Sequence, residues 1–372
     1  MSQGFPQNVP PKVHPMKYCL AGLLICLLLA NFAAAQLPVA TGRQFAMTNA
    51  AWKVFIPDSY QQRPGDVADL LVHFHGDPQT MYNNALYAEL NAIIVTVNYS
   101  GLSSAYSGPF SDATLFQSLL DEALAKVRHQ PDFSKTLQWD QLGVSSFSAG
   151  YGAVREILKS AAYRNDIDAL LAADSLYATT AGDGTPLDSQ MVNYKTFAGL
   201  AQAETKTFIF SHSQVPTYTY ESTMETGDEL MQHLGISANP ISASGLGTLD
   251  FYRHAESGNF QLWGALGADG DAHLEHLRYI GEFLAHLPLA RTSDLEGDFD
   301  LDRDVDGLDF LAWQRGESSG SNSLSDFNLW QSHFGDNAAL AAAVYGVPEP
   351  STCATLLTGL LAALLRGVSV LP

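Results

Sequence analysis

The sequence predicts an α/β fold, with a mostly parallel central sheet, helices on both faces and a small acidic loop–helix module after it. Three observations lead there. Between residues 36 and 290, short apolar runs alternate with segments of helical period. The composition is that of a packed protein, 46% apolar with 30 Gly and 17 Pro in 372 residues. The three cysteines, Cys19, Cys26 and Cys353, all lie in apolar runs near the ends, so the long middle must fold on packing alone.

The elements follow in order. Ala68 to His75 (ADLLVHFH) reads as a strand running into a loop, and residues 91–98 (NAIIVTVN) as the next strand. Residues 111–128 carry apolar side chains at helical spacing, with Ser111 or Asp112 placed to cap them. Residues 137–144 approach another strand and 150–159 a helix. Residues 167–173 and 205–210 supply further strands, and 271–287 a last helix. Strands joined through helices pair in parallel, and such a sheet carries its chemistry at its carboxyl edge.

The formal net charge of -20 excludes a broadly basic nucleic-acid binder. Much of the acidity is local, because residues 291–336 hold 11 acidic and 3 basic side chains. At the N-terminus, Lys17, an apolar stretch over 18–30 and Ala33-x-Ala35 before Gln36 form a signal-peptide pattern covering residues 1–35. The alternative is a retained anchor, which the small-residue cleavage site opposes.

Around residue 148 the sequence runs Val144, Ser145, Ser146, Phe147, Ser148, Ala149, Gly150, Tyr151, Gly152. A strand ends, a serine follows, and small residues lead straight into a helix, which is the x-Ser-x-Gly pattern of a nucleophile elbow. Ser146 occupies the place of the usual first glycine. An ordinary strand–turn–helix with a capping serine is the plainer alternative. The His75-Gly76-Asp77 turn after an early strand suits an oxyanion hole, with one backbone N–H from Gly76 or Asp77 and another from Ala149. The His73/His75 pair also admits a metal, although no third ligand is evident nearby. For a general base the candidates are His254, His273 and His276, with His273 in the loop or first turn of the last helix preferred. For the acid, Asp174 ends a strand next in order after Ser148, while Glu221, Glu225 and Asp228 follow the later strand. Tyr177, Tyr194, Tyr218, Tyr220 and Trp263 fit either a ligand pocket or ordinary packing.

The chain order Ser148, Asp174, His273 over residues 36–290 resembles the α/β-hydrolase superfamily, without pointing to a narrow subfamily. The resemblance implies an esterase- or lipase-like fold, acyl-enzyme hydrolysis of a small-molecule ester or acylated substrate, and no cofactor for catalysis. The alternatives are a non-catalytic surface binding protein that retains the fold, and a serine peptidase.

Residues 298–309 read Asp-Phe-Asp-Leu-Asp-Arg-Asp-Val-Asp-Gly-Leu-Asp. Carboxylates at Asp298, Asp300, Asp302, Asp306 and Asp309 surround one loop with the hard oxygens that Ca²⁺ takes. The run from Asp309 (DFLAWQ) returns 17 residues later from Asp326 (DFNLWQ), behind a loop that has lost most of its acids. Residues 294–336 thereby resemble a dockerin type I module, with Arg303 at the position of its usual glycine. That resemblance implies structural Ca²⁺ and a cohesin-like protein partner. Val347-Pro-Glu-Pro350, the apolar run 353–365 and Arg366 resemble a PEP-CTERM sorting signal over 347–372. It implies export, processing by a sorting machinery, a transient membrane anchor and a place outside the cell or on its surface.

Overall fold

A computed structural model of the chain describes residues 37–63, 65–292, 296–299, 305–316, 318 and 322–335. The expected signal peptide, the sorting segment, Asp300 and Asp302 lie outside the described residues. The chain divides into two compact units. The first takes in the chain up to Asp58 with Gln62–Ala88 and Ala92–Leu289. The second gathers Ser59–Gln61, Glu89–Asn91 and the chain from Ala290 onward.

The first unit is built on a ten-stranded sheet. Its strands are β1 (Gly42–Ala46), β2 (Trp52–Pro57), β3 (Val67–Phe74), β4 (Ala92–Val97), β5 (Gln138–Phe147), β6 (Ala169–Ala173), β7 (Thr207–His212), β8 (Asn239–Ser244), β9 (Asp250–Ser257) and β10 (Phe260–Ala265). They lie in the order β1-β2-β4-β3-β5-β6-β7-β10-β9-β8. The strands from β4 to β10 in that order pair in parallel. The expected parallel character therefore holds at the centre, and both ends of the sheet are antiparallel. Every residue of β4 and of β6 is buried, as strands covered on both faces require. β1 and β8 are mostly exposed and carry few apolar residues, so no strand signal marked them.

Helix α1 (Pro78–Tyr87) joins β3 to β4, and α2 (Ser103–Phe110) and α3 (Leu115–Arg128) join β4 to β5. Then come α4 (Tyr151–Ile157), α5 (Ala161–Asp166), α6 (Asp188–Gln202), α7 (Thr223–Leu234), α8 (Gly270–Arg278) and α9 (Gly281–Leu284). The helix expected over 111–128 begins only at Leu115, because Asp112 accepts from the Thr114 N–H and hydroxyl and holds the chain in a turn. The helix expected over 271–287 breaks into α8 and α9 at Tyr279, whose backbone leaves the helical region.

The chain steps from β3 outward to β4, then doubles back past β3 to β5. With right-handed crossovers, that reversal puts α1 on one face and the helices from α2 to α7 on the other. Accordingly α1 packs with α8 and α9, whereas α2 packs on α4 and α6 on α7. The reversal falls between β3 and β5, at whose carboxyl ends sheets of this kind hold their ligands. The architecture is consistent with the α/β-hydrolase fold that the motif order implies.

In the second unit, α10 (Gly307–Arg315) and α11 (Leu324–His333) pack through Phe310, Trp313, Phe327 and Trp330. The repeat of 17 residues reappears as a reciprocal contact. Trp313 Nε1 donates to the carbonyl of Ser323 at 3.0 Å, and Trp330 Nε1 donates to the carbonyl of Asp306 at 2.7 Å. Ser323 and Asp306 are the N-caps of α11 and α10, so each helix ties down the start of the other.

Candidate active site

β5 ends at Phe147, and Ser148 takes up a left-handed backbone with φ 46°. A single 3₁₀ turn over Ser148–Gly150 then leads into α4. The turn fits only because of two glycines. A Cβ on Gly150 would lie 2.2 Å from the Phe74 carbonyl oxygen, and one on Gly152 would lie 2.3 Å from that of Ser103. The elbow is thus pressed against the end of β3, beside the His75–Gly76 turn. His75 and Gly76 are themselves left-handed, with φ 75° and 123°. The amides at the start of such a turn have no carbonyl one turn earlier to bond. Ala149 is the first of them after Ser148, and Asp77, the N-cap of α1, spends its carboxylate on the N–H and hydroxyl of Thr80.

Ser146 is fully buried, and Ser175 supplies its partner. Ser175 Oγ donates to Ser146 Oγ at 2.8 Å and lies 2.9 Å from the Ser148 carbonyl oxygen. A hydroxyl in place of the usual glycine is therefore accommodated by one from the end of the neighbouring strand.

The three residues named for catalysis meet. His273 Nε2 is 2.9 Å from Ser148 Oγ, and His273 Nδ1 is 2.6 Å from Asp174 Oδ2. His273 sits in the first turn of α8, which Asp269 caps through the Ala272 N–H. Its ring stacks on Phe147, with centroids 4.7 Å apart. A carboxylate at Nδ1 fixes the proton there and leaves Nε2 to accept from the serine hydroxyl.

Asp174 follows β6 with φ 42° and is completely buried. Ser213 donates to it twice, from its N–H at 3.0 Å and from its hydroxyl at 2.7 Å, and Thr223 donates through Oγ1. Burial alone would raise its pKa. Nearby His276 and His273, with the hydrogen bonds from His273 and Thr223, outweigh burial and hold the carboxyl well below the usual range. His276 is itself kept neutral at ordinary pH, its pKa pushed by burial down to about 4. The hydrogen bonds therefore matter most for Asp174 near neutrality.

The other candidates stand outside the line from Asp174 to Ser148. Glu225 closes a capping box with Ser222, and Asp228 pairs with Arg253 at 2.7 Å. Glu221 is buried and its backbone bridges to Ala178. His276 Nδ1 is 2.8 Å from Ser211 Oγ, and His254 lies against Trp263 with tilted rings 4.0 Å apart. His73 and His75 turn to different partners, Ser145 and Tyr106. Tyr194 is buried in the core and Trp263 lies between His254 and His286, whereas Tyr151, Tyr177 and Tyr220 form a row of rings starting three residues after Ser148. Sequence reasoning missed Ser175, Ser213 and Thr223. Ser175 adjoins the candidate acid Asp174 in sequence, which is a usable signal, whereas Ser213 and Thr223 have none.

In the second unit, Asp298 and Asp309 are buried. Asp309 Oδ1 accepts from the Phe299 N–H at 2.6 Å, and Oδ2 from the Asp306 N–H at 2.7 Å. Asp306 accepts from the Leu308 N–H as the N-cap of α10. Among the described residues no group of three or more His, Cys, Asp or Glu side chains is set to hold a metal ion.

No protein-family model matches the chain, and no curated protein matches it. Among solved structures, the chain is similar to a mutant of the feruloyl esterase module from Clostridium thermocellum complexed with sinapinate, at 13% identity and a TM-score of 0.39, covering 67% of this chain and 88% of that one. It is similar to a dienelactone hydrolase-like promiscuous phosphotriesterase from metagenomic libraries, at 12% identity and a TM-score of 0.36, covering 67% and 99%. A fungal esterase from Rhizomucor miehei follows at 13% identity and a TM-score of 0.33, covering 74% and 92%.

Proposed function

We propose that the chain is an exported serine hydrolase acting on carboxylic esters through Ser148, His273 and Asp174. The observation that carries this reading is the unbroken hydrogen-bonded line from buried Asp174 through His273 to Ser148 at the carboxyl edge of the sheet. His273 Nε2 takes the proton of Ser148 as Oγ attacks the acyl carbonyl. The oxyanion is received by the N–H of Ala149 and that of Gly76 or Asp77. The tetrahedral adduct collapses, the ester C–O bond breaks, and His273 returns its proton to the departing alkoxide. A water then gives its proton to His273 and attacks the acyl-serine, which releases the acid and restores Ser148. Asp174 keeps the imidazole in the required tautomer and stabilises its charged form.

Labelling with a fluorophosphonate probe tests the reading. Wild-type protein is expected to react, and Ser148→Ala to lose the label while melting at a similar temperature. A correctly folded wild type that never labels would favour a non-catalytic binding protein.

The acidic loop is proposed as a structural Ca²⁺ site. Asp298, Asp306 and Asp309 supply hard oxygens on one acidic loop, the donor type that Ca²⁺ takes. Asp300 and Asp302 belong to the same proposal from sequence alone. A cohesin-like partner for this module and surface sorting by residues 347–372 are likewise proposals, tested by pull-down with cohesin domains and by following the C-terminus through export.

A further inference from the structure

We propose that His212 and Arg253 are positioning residues for Asp174, a role that rests on the reading of Asp174 as the triad acid. The row they form crosses the sheet in register. His212 on β7 pairs with Gly264 on β10, and Gly264 pairs with Arg253 on β9. Directly paired residues of adjacent strands project to the same face, so the middle residue would ordinarily separate the outer two. Here it has no side chain. A Cβ on Gly264 would lie 2.8 Å from His212 Nε2 and 2.6 Å from Arg253 Cγ. The glycine is what lets the arginine reach over β10 to the histidine.

The proton positions along the row are fixed by chemistry. Arg253 Nε is 2.9 Å from His212 Nε2, and a guanidinium only donates, so Nε2 must accept. The proton of a neutral ring is then on Nδ1, which donates to the Ser213 carbonyl at 2.8 Å. His212 is completely buried, and burial together with the arginine's charge pushes its pKa down to about 3, so the ring stays neutral. Ser213, gripped by its carbonyl, directs its N–H to Asp174 Oδ1 and its hydroxyl to Oδ2. Every donor and acceptor is defined from Arg253 to the carboxylate. At the outer end, Arg253 Nη1 pairs with Asp228 Oδ1 at 2.7 Å, and the guanidinium lies over the Tyr252 ring. An apolar side chain would fill the site of His212 without desolvating an imidazole. The histidine instead holds one carbonyl whose residue supplies two of the hydrogen bonds to Asp174.

The test uses the full protein. Low-field proton NMR reads the His273 Nδ1–H bond to Asp174 whether or not the protein turns over any ester. His212→Leu and Arg253→Met are expected to shift or broaden that resonance. Where an ester is hydrolysed, they are expected to lower kcat about tenfold to a hundredfold with KM little changed. Arg253→Lys, which keeps a donor at the row's outer end, is expected to recover part of both. In an Asp174→Asn background neither substitution should lower kcat further, because both act through that carboxylate. An unmoved resonance with unchanged kcat, or full additivity with Asp174→Asn, overturns the proposal. If His212→Leu does not fold, Arg253→Met at the row's outer end decides. A wild type that neither labels nor hydrolyses overturns the hydrolase reading instead, and the resonance still decides the positioning role.

Discussion

At the scale of single residues, the elbow is decided by which positions carry a Cβ. Gly150→Ala would force its new methyl against the Phe74 carbonyl, and we expect a loss of about 2–3 kcal/mol in urea unfolding, with labelling of Ser148 impaired. Ser175→Ala removes the partner of a buried hydroxyl and is expected to cost about 1–3 kcal/mol, while Ser146→Gly should cost less because it deletes the hydroxyl itself. Paired denaturation curves of the two variants check that order. At this scale Ser148 and His273 were legible, because a local motif and chain order mark them. The residues that hold Asp174 were not. Ser213 lies 39 positions from it and Thr223 49, and no local pattern announces a contact that the sheet brings about.

At the scale of elements, burial governs what could be read. β3, β4, β6 and β7 are buried and mostly apolar and stand out, whereas β1 and β8 are mostly exposed, β9 is half-exposed, and β2, though buried, is a short run ending in Pro57 that the sequence reading does not mark. The helices α1, α6 and α7 went unread for a related reason. α1 and α6 have weakly segregated apolar faces, and the strong N-terminal signal of α7, the Ser222/Glu225 capping box, lay among acidic residues weighed as catalytic candidates. For the second unit, the reciprocal indole contacts predict that Trp313→Phe and Trp330→Phe each destabilise α10 and α11 by about 1 kcal/mol. Near-equal losses in amide protection of the two helices are the expected reading. Calcium titration followed by calorimetry should show a saturable heat with the native loop and none with Asp298→Ala/Asp306→Ala. A native loop that gives no heat removes the calcium proposal.

At the scale of the molecule, buried histidines tie stability to pH. His73, His212 and His276 are buried, and burial lowers their pKa to about 3, 3 and 4 from the ordinary value of about 6.5. An unfolded chain takes up these protons below that value, and the folded chain does so only near its own lower pKa. Each histidine thus contributes its full stability above about pH 6.5, and the contribution is lost as pH falls to about 4 for His276 and about 3 for His73 and His212, at up to about 1.4 kcal/mol per unit for each. Asp174, also lowered, adds a loss in the same direction at still lower pH. Urea midpoints at pH 7.5, 6 and 5 are expected to fall in that order, and His276→Gln should flatten the slope. The parallel centre of the sheet was legible because its strands and helices alternate along the chain. Its antiparallel ends were not, since nothing in a short polar strand says which neighbour it will join.

Three strands of the sheet, β3, β5 and β6, hand over to left-handed residues, at His75, Ser148 and Asp174. For the proposed nucleophile this restricts the choice of element. A β-branched side chain at φ 46° is crowded by its own backbone, so threonine cannot simply inherit the role of Ser148. Cysteine is unbranched and meets no such obstacle. Diversification of this site toward thiol chemistry is open to a single substitution, and toward a threonine nucleophile it is closed by the backbone.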